Sequence, residues 1–245
     1  MSSHSRRHTE GLSKVDRERE YLPAEAVALI KSLASAKFDE SVELHVRTGL
    51  NVRHADEQLR GTIALPNGLG KDVTVAVFAQ GEKAKEAEEA GADVVGAQDL
   101  AKRIQEGFDD FDVAIATPDL MSVVGQLGRI LGPSGKMPNP KVGTVTMDVA
   151  KAVQESKSGK VEYRTDRTAI VHMVIGKASF DEQKLLENYA AVVEELVRAK
   201  PSAAKGRYLR SISLTTTMGP GIKVDTSRTK EILGAGDPAG ASIAA

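Results

Sequence analysis

Hydrophobic residues along this chain follow two different patterns, arranged in the order first, second, first. In YLPAEAVALIKSLA (residues 21–34), Ala26, Val27, Leu29, Ile30 and Leu33 form a broad stripe behind Pro23, a residue suited to a first helical turn, so the segment reads as an amphipathic helix. The polar residues before it, TEGLSKVDRERE, read as a loose or helical arm. The period then falls to two. In ESVELHVRTGL, Val42, Leu44 and Val46 alternate with Glu43, His45 and Arg47, which predicts a strand with one buried and one wet face. RGTIALPNGLGK continues as a short strand into Asn67, Gly68 and Gly70, a flexible turn and a candidate domain boundary.

Beyond Lys71 the second pattern begins. VTVAVFA is nearly all apolar, as a central parallel strand covered on both faces would be. A helix closed by Gly91, the strand ADVVG, a helix closed by Gly107, the strand FDVAIATP and a helix over DLMSVVGQLGRIL follow in turn. Such short alternation predicts a small doubly wound sheet. The Gly- and Pro-rich GPSGKMPNPKVGT then leads into one more helix, TMDVAKAVQESKSG, ending at Gly159.

After Gly159 the one-sided pattern returns. VEYRTD sets Val161 and Tyr163 opposite Glu162, Arg164 and Asp166, and TAIVHMVIG reads as its antiparallel neighbour. A long helix follows, with Phe180 as an N-terminal anchor and Leu185, Leu186, Tyr189, Val192, Val193 and Leu196 toward a core. YLRSISLTTTMGPGIKVD reads as a hairpin, and the Gly/Ala-rich end reads as a disordered tail. The predicted fold class is therefore α/β: a discontinuous α+β split sandwich (residues 1–69 and 160–230) with an inserted three-layer, Rossmann-like alternating α/β domain (70–159) and a tail (231–245). Insertion at a turn is tolerated because adjacent strand ends stay close, and two crossings in Gly-rich segments predict a hinge.

Composition narrows the function classes. The 245 residues suffice for one large or two modest cores. No stretch approaches the roughly eighteen apolar residues of a membrane span, and the first residues lead into charge rather than an apolar signal core, so a cytoplasmic protein without a membrane partner is expected. With no cysteine, thiolate nucleophiles, disulfides and cysteine metal sites are absent, and His4, His8, His45, His54 and His172 show no metal-binding spacing. Residues 71–157 hold 10 basic and 14 acidic side chains, leaving 23 and 20 of the chain's 33 and 34 for its two ends. The ends are mildly basic and the middle acidic, which permits nucleic-acid binding by geometry without predicting it.

Several catalytic motifs fail on inspection. Around Gly135 and Lys136, Ile130 stands where a phosphate-binding loop needs its first glycine, and Met137 where it needs a magnesium-binding hydroxyl. The stretch after the first alternating strand, Phe78 to Lys83, lacks the dinucleotide fingerprint. Asp109, Asp110 and Asp112 read as a solvated turn, and neither His45 nor His172 has a recognisable nucleophile companion. No cofactor or metal is expected, and the chain is not expected to be an enzyme.

The stretch SISLTTTMGPG raises a different chemistry. Ser211, Ser213, Thr215 and Thr217 share one face by alternation, and Met218 with Gly219 ends the strand. Hydroxyls can exchange hydrogen bonds with a ribose hydroxyl, and a glycine lets the backbone approach a sugar edge. AKFDE presents Lys37 and Phe38 just before the wet-faced strand; Phe38 could plug a core or stack on a base. Lys37, Arg53, Arg164, Lys177 and Lys223 could neutralise phosphates. Beside this RNA-binding reading stand two others, an enzyme with a nucleotide or small-molecule site in the alternating domain, and a protein-binding scaffold.

TTTMGP, AKFDE, LPNGLGK, GRILGPSGKMPNPKVGTV and GKASF together resemble the bacterial family of the first protein of the large ribosomal subunit, from about His8 to Val224. The resemblance implies a two-domain protein whose discontinuous domain suffices for specific RNA binding. It implies binding to large-subunit rRNA at a mobile stalk, contact with E-site tRNA and help in releasing it when deacylated, and repression of the protein's own operon mRNA. It also implies contacts with other ribosomal components and a monomer when free. The RNA-contact positions it implies are Phe38, Thr217, Met218 and Gly219, with Lys37, Ser41, Arg53, Arg164, Asp166 and Ser211 beside them; at Ser41 the family often has threonine, and the hydroxyl is kept.

Overall fold

The computed structural model describes residues 5–202 and 204–227, so the tail predicted for 231–245 lies outside the described residues. The chain divides into two compact units. One gathers the residues up to Leu59, residues 65–70 and those from Tyr163 onward; the other gathers residues 60–64 and 71–162.

The first unit is built on a four-stranded sheet. Strand β1 (Ser41–Thr48) lies between β7 (Ile170–Lys177) and β8 (Leu209–Thr216), with β9 (Ile222–Val224) outermost. Every pairing is antiparallel. Val42, Leu44 and Val46 share a buried face with Val171, Met173, Ile212 and Leu214, as the period-two pattern requires. Helices α2 (Pro23–Leu33) and α8 (Glu182–Arg198) pack on that face and on each other. Ala26, Val27, Ile30 and Leu33 of the first meet a core to which the second adds Leu185, Tyr189, Val192, Val193 and Leu196. The N-terminal arm contains a short helix, α1 (Arg6–Ser13), capped by the Ser5 hydroxyl on the His8 amide.

Asn188, fully buried on α8, fixes the LPNG turn. Its Oδ1 accepts from the Asn67 amide at 3.1 Å, while its Nδ2 donates to the carbonyls of Gly68 (3.1 Å) and Ile175 (2.7 Å). A buried amide can be tolerated only when its donors and acceptor are met, and here both kinds are.

The second unit has three layers. Parallel strands β4 (Val94–Gly96), β3 (Val75–Phe78) and β5 (Val113–Ala116) form a sheet with β3 at its centre, all four of whose residues are buried. Alternate β3 side chains serve opposite cores: Val75 and Val77 join Ala87 and Val153, and Ala76 and Phe78 join Leu100, Ile104, Leu127 and Leu131. Helices α3 (Glu82–Glu89) and α7 (Val149–Lys157) cover one face; α4 (Gln98–Gln105), α5 (Met121–Gln126) and α6 (Gly128–Leu131) cover the other.

Three expectations need correcting. VEYRTD does not pair along TAIVHMVIG: β6 (Lys160–Arg164) pairs with β2 (Arg60–Ala64) in a separate two-stranded ribbon, and the predicted partners meet at their shared turn, through the isolated Thr165–Val171 bridge and the hydrogen bonds of Asp166 to Thr168 and Ile170. The β7 edge is instead taken by β1, whose alternation matches it over seven pairs. Because of the ribbon, residues 60–64 and 160–162 group with the alternating unit, where the sequence reading placed them in the other. The helix expected over DLMSVVGQLGRIL is interrupted: a 3-10 turn at Pro118–Leu120 leads to α5 and, past Leu127, α6. Gly125 and Gly128 flank the break, and glycine supports a helix interior poorly.

Candidate nucleic-acid interface

Among the described residues of the first unit, the two most exposed large apolar side chains, Phe38 (55%) and Met218 (52%), stand at the end of the sheet where β1 begins and β8 finishes. Phe38 sits on the loop between α2 and β1, and Met218 on the turn after β8. Nothing in the sequence places these segments side by side; the β1–β8 register does. Ser41 and Thr217 extend the antiparallel ladder by one step, with the Thr217 amide donating to the Ser41 carbonyl at 3.1 Å and the Ser41 amide donating to Thr217 Oγ1 at 3.0 Å. Lys177, opposite Ser41 on β7, donates from Nζ to Ser41 Oγ at 2.9 Å.

Beneath this surface lies a carboxylate, Glu40, only 1% exposed. Its Oε1 accepts from the amides of Ser35 (3.0 Å) and Ala36 (2.8 Å), and its Oε2 accepts from the amide of Met218 (3.0 Å). Burial works to raise its pKa, but the hydrogen bonds from the amides of Ala36, Met218 and Ser35 help to outweigh it and hold the group below the usual carboxylate range. The loop bearing Phe38 is further tied to the strand β7 turn, where Asp39 accepts from the Ser179 amide (3.1 Å) and hydroxyl (2.7 Å). Gly219 is required by space: a Cβ there would run into Thr216 Oγ1, a buried and β-branched neighbour.

The structure thus brings together six of the predicted residues, Lys37, Phe38, Ser41, Thr217, Met218 and Gly219. It does not bring the other four to the same place. Ser211 lies exposed on β8 opposite Arg47, toward the far end of β1. Arg53 is exposed on the loop that follows β1, and Arg164 is exposed on β6, next to the Thr165–Val171 bridge. Asp166 is committed to its own turn: it accepts from the amides of Thr168 (2.8 Å) and Ile170 (2.7 Å), and its Oδ2 faces His172 Nε2 at 3.3 Å. Partial burial acts to raise its pKa, yet the Thr168 hydroxyl, these amides and His172 hold it well below the usual range. An eight-residue strand separates the two groups, on the order of 25 Å.

Between them runs the wet face of the sheet. The register sets His45 opposite both His172 and Ser213, with the two imidazoles joined Nδ1 to Nδ1 at 2.9 Å and edge to face at a centroid distance of 5.0 Å. Lys223, on β9 opposite Ser213, donates to the Arg17 carbonyl of the N-terminal arm at 3.0 Å. Histidine pairing was beyond sequence reading because it depends on a register spanning 127 positions. Glu40 was also missed, although a signal existed: it stands in the buried phase of Val42, Leu44 and Val46, where an acid demands an explanation. Among the described residues, no group of three or more side chains is placed to hold a metal ion, and no helix is long and apolar enough to cross a membrane.

Comparison with known proteins adds a family. The model of the Ribosomal protein L1p/L10e family matches residues 30–220. The chain is 63% identical over 227 residues to the large ribosomal subunit protein uL1 of Rubrobacter xylanophilus, covering 92% of this chain and 99% of that protein. It is 59% identical over 227 residues to the large ribosomal subunit protein uL1 of Thermobifida fusca, covering 93% of this chain and 97% of that one.

Proposed function

The chain belongs to the ribosomal protein L1p/L10e family, and on that premise we propose that it is a structural protein of the large ribosomal subunit, working in the ribosome in the cytoplasm, whose first unit holds rRNA. It is not an enzyme. The observation that carries the reading is the pair of exposed apolar side chains, Phe38 and Met218, set on a hydrogen-bonded frame of Ser41, Thr217 and buried Glu40. Exposed apolar groups on a fixed backbone suit stacking and close packing against sugar edges, while the flanking hydroxyls exchange hydrogen bonds with ribose.

Recognition is by shape. Thr217, Met218 and Gly219 meet the sugar edges of a distorted helix, with Lys37 and Ser41 beside them. Arg53 and Arg164, at the other end of β1, set the register on phosphates, with Ser211 along the way. Asp166 keeps its turn in place for them. Because the fit is geometric, the nearly balanced charge of the chain is no obstacle.

The rRNA site is the mobile stalk; there the protein assists release of deacylated tRNA from the E site, and the same surface represses translation by binding a similar structure in its own operon mRNA. The test is the affinity of the full chain for a bulged stalk-type rRNA fragment and for a plain duplex of equal length, each over a salt series. A preference for the fragment that persists as salt rises supports shape readout. Equal, steeply salt-dependent binding would leave only phosphate attraction and overturn it.

A further inference from the structure

Phe38 and Met218 belong to segments far apart in the chain, and neither segment is part of a helix or strand. What fixes one against the other is therefore a question about hydrogen bonds. The Glu40 carboxylate receives amides from both sides: Ser35 and Ala36, at the head of the loop that carries Phe38, on Oε1, and Met218 itself on Oε2. Adjacent to it, the Ala178 amide donates to the Glu40 carbonyl at 2.8 Å, so its own backbone is held by the end of β7. The acid is sealed from solvent, while the side chains above it are more than half exposed. A buried carboxylate is far costlier than an apolar residue unless its lone pairs are met. An apolar residue would fill the same space, but it could not orient three amides.

We propose that Glu40 is the positioning residue of the RNA-binding surface, setting the Met218 turn against the Phe38 loop without touching RNA itself. This rests on the reading of that surface as the rRNA site. Charge and geometry make the role specific to a carboxylate. In Glu40→Gln the side chain keeps its shape but has one acceptor oxygen and one amide nitrogen. With two amides on the Oε1 side and one on the Oε2 side, the carboxamide oxygen is best placed toward Ser35 and Ala36. Its nitrogen then points at the Met218 amide, donor against donor, so Met218 loses its tie to the Phe38 loop while the Thr217–Ser41 pair keeps the turn on the sheet.

The experiment is a double-mutant cycle on the full chain, with affinity for the bulged rRNA fragment as the readout and Val193→Ala, a core truncation in α8, as a control for general loss of stability. Glu40→Gln is expected to weaken binding about tenfold or more, and Met218→Ala, costly in the wild type, is expected to cost little further in the Glu40→Gln background. Val193→Ala is expected to leave affinity within about twofold at a temperature where all variants are folded. A Met218 backbone amide resonance that shifts in Glu40→Gln, with those of Ser35 and Ala36 nearly unmoved, is the structural counterpart. Undiminished binding by Glu40→Gln overturns the proposal, as do losses that simply add, or a Val193→Ala loss as large as that of Glu40→Gln. If the wild type does not prefer the fragment to the duplex, the RNA reading fails first; an unmoved Met218 amide would count against Glu40 independently of it.

Discussion

Ser41 and Thr217 are joined reciprocally, the amide of each donating to an oxygen of the other, 176 positions apart in the chain. The Thr217 hydroxyl thereby closes the ladder at the sheet's end on an exposed residue, where the proposed RNA contact would also use it. Thr217→Val keeps the shape and removes the oxygen. The expected loss of stability is about 1 kcal/mol or less, because the Ser41 amide can turn to water, while affinity for the bulged fragment falls about three- to tenfold. Thr217→Ser should restore both. Urea unfolding beside RNA titration separates the two effects, and a stability loss without any change in affinity would confine Thr217 to the fold.

Met218→Asp puts a charge where an apolar chain stands 52% exposed. Because the Met218 amide serves the buried Glu40 carboxylate, the added like charge is expected to lower stability by about 1 kcal/mol, short of unfolding. Facing RNA phosphates, the same charge is strongly repulsive, and a loss of specific binding of roughly a hundredfold or more is expected. Unchanged affinity with an unchanged melting curve would remove Met218 from the interface.

Asn188 is fully buried and lies outside the candidate interface, so its substitution tests the frame. Asn188→Leu strands the Asn67 amide and the carbonyls of Gly68 and Ile175. Each orphaned group costs on the order of 1 to 3 kcal/mol, so a total near 3 kcal/mol is expected, read as a fall in the urea midpoint at constant m-value. A loss below about 1 kcal/mol would show that the LPNG turn finds other partners.

The His45 ring gives the fold a pH dependence in mild acid. Its pKa is lowered from 6.5, first by burial and then by His172, with Glu43 pulling the other way. Just below 6.5 the unfolded chain therefore binds a proton that the folded chain does not. Stability rises with pH across that window and is lost as the pH falls through it. His45→Gln is expected to flatten this slope between neutrality and about pH 5, above the range where Glu40 and Asp166 titrate. Chemical denaturation over that range, for both proteins, reads it directly; parallel curves would exclude His45 as the source.

Local pattern determined a good deal here. Period two in ESVELHVRT and SISLTTT, the apolar VAVF, and the 3.6-residue spacing of α2 and α8 each announce an element because burial of one face, or of both, is a local property of the chain. The exposure of Met218 was legible for the same reason, since it follows from a strand ending in a turn; the clash with Thr216 that a side chain at Gly219 would make was not. The β6–β7 expectation failed because pairing is a choice among edges: local alternation makes β6 a strand but does not name its partner, and β2 took it.

The site itself was decided by the tertiary structure. The Phe38 loop and the Met218 turn share the Glu40 carboxylate only when β1 enters between β7 and β8, and Ser41 meets Thr217 only in that register. Arg53, Arg164 and Asp166 share charge and polarity with the site residues, yet the same register carries them to its other end. Glu40 shows the division most plainly. Its sequence position says that an acid faces inward; that it is tolerated there, ionised, depends on the amides of Ser35 and Ala36 in its own loop and of Met218, 178 positions away, and a one-dimensional pattern does not say that a folded chain will bring the last of these within hydrogen-bond reach.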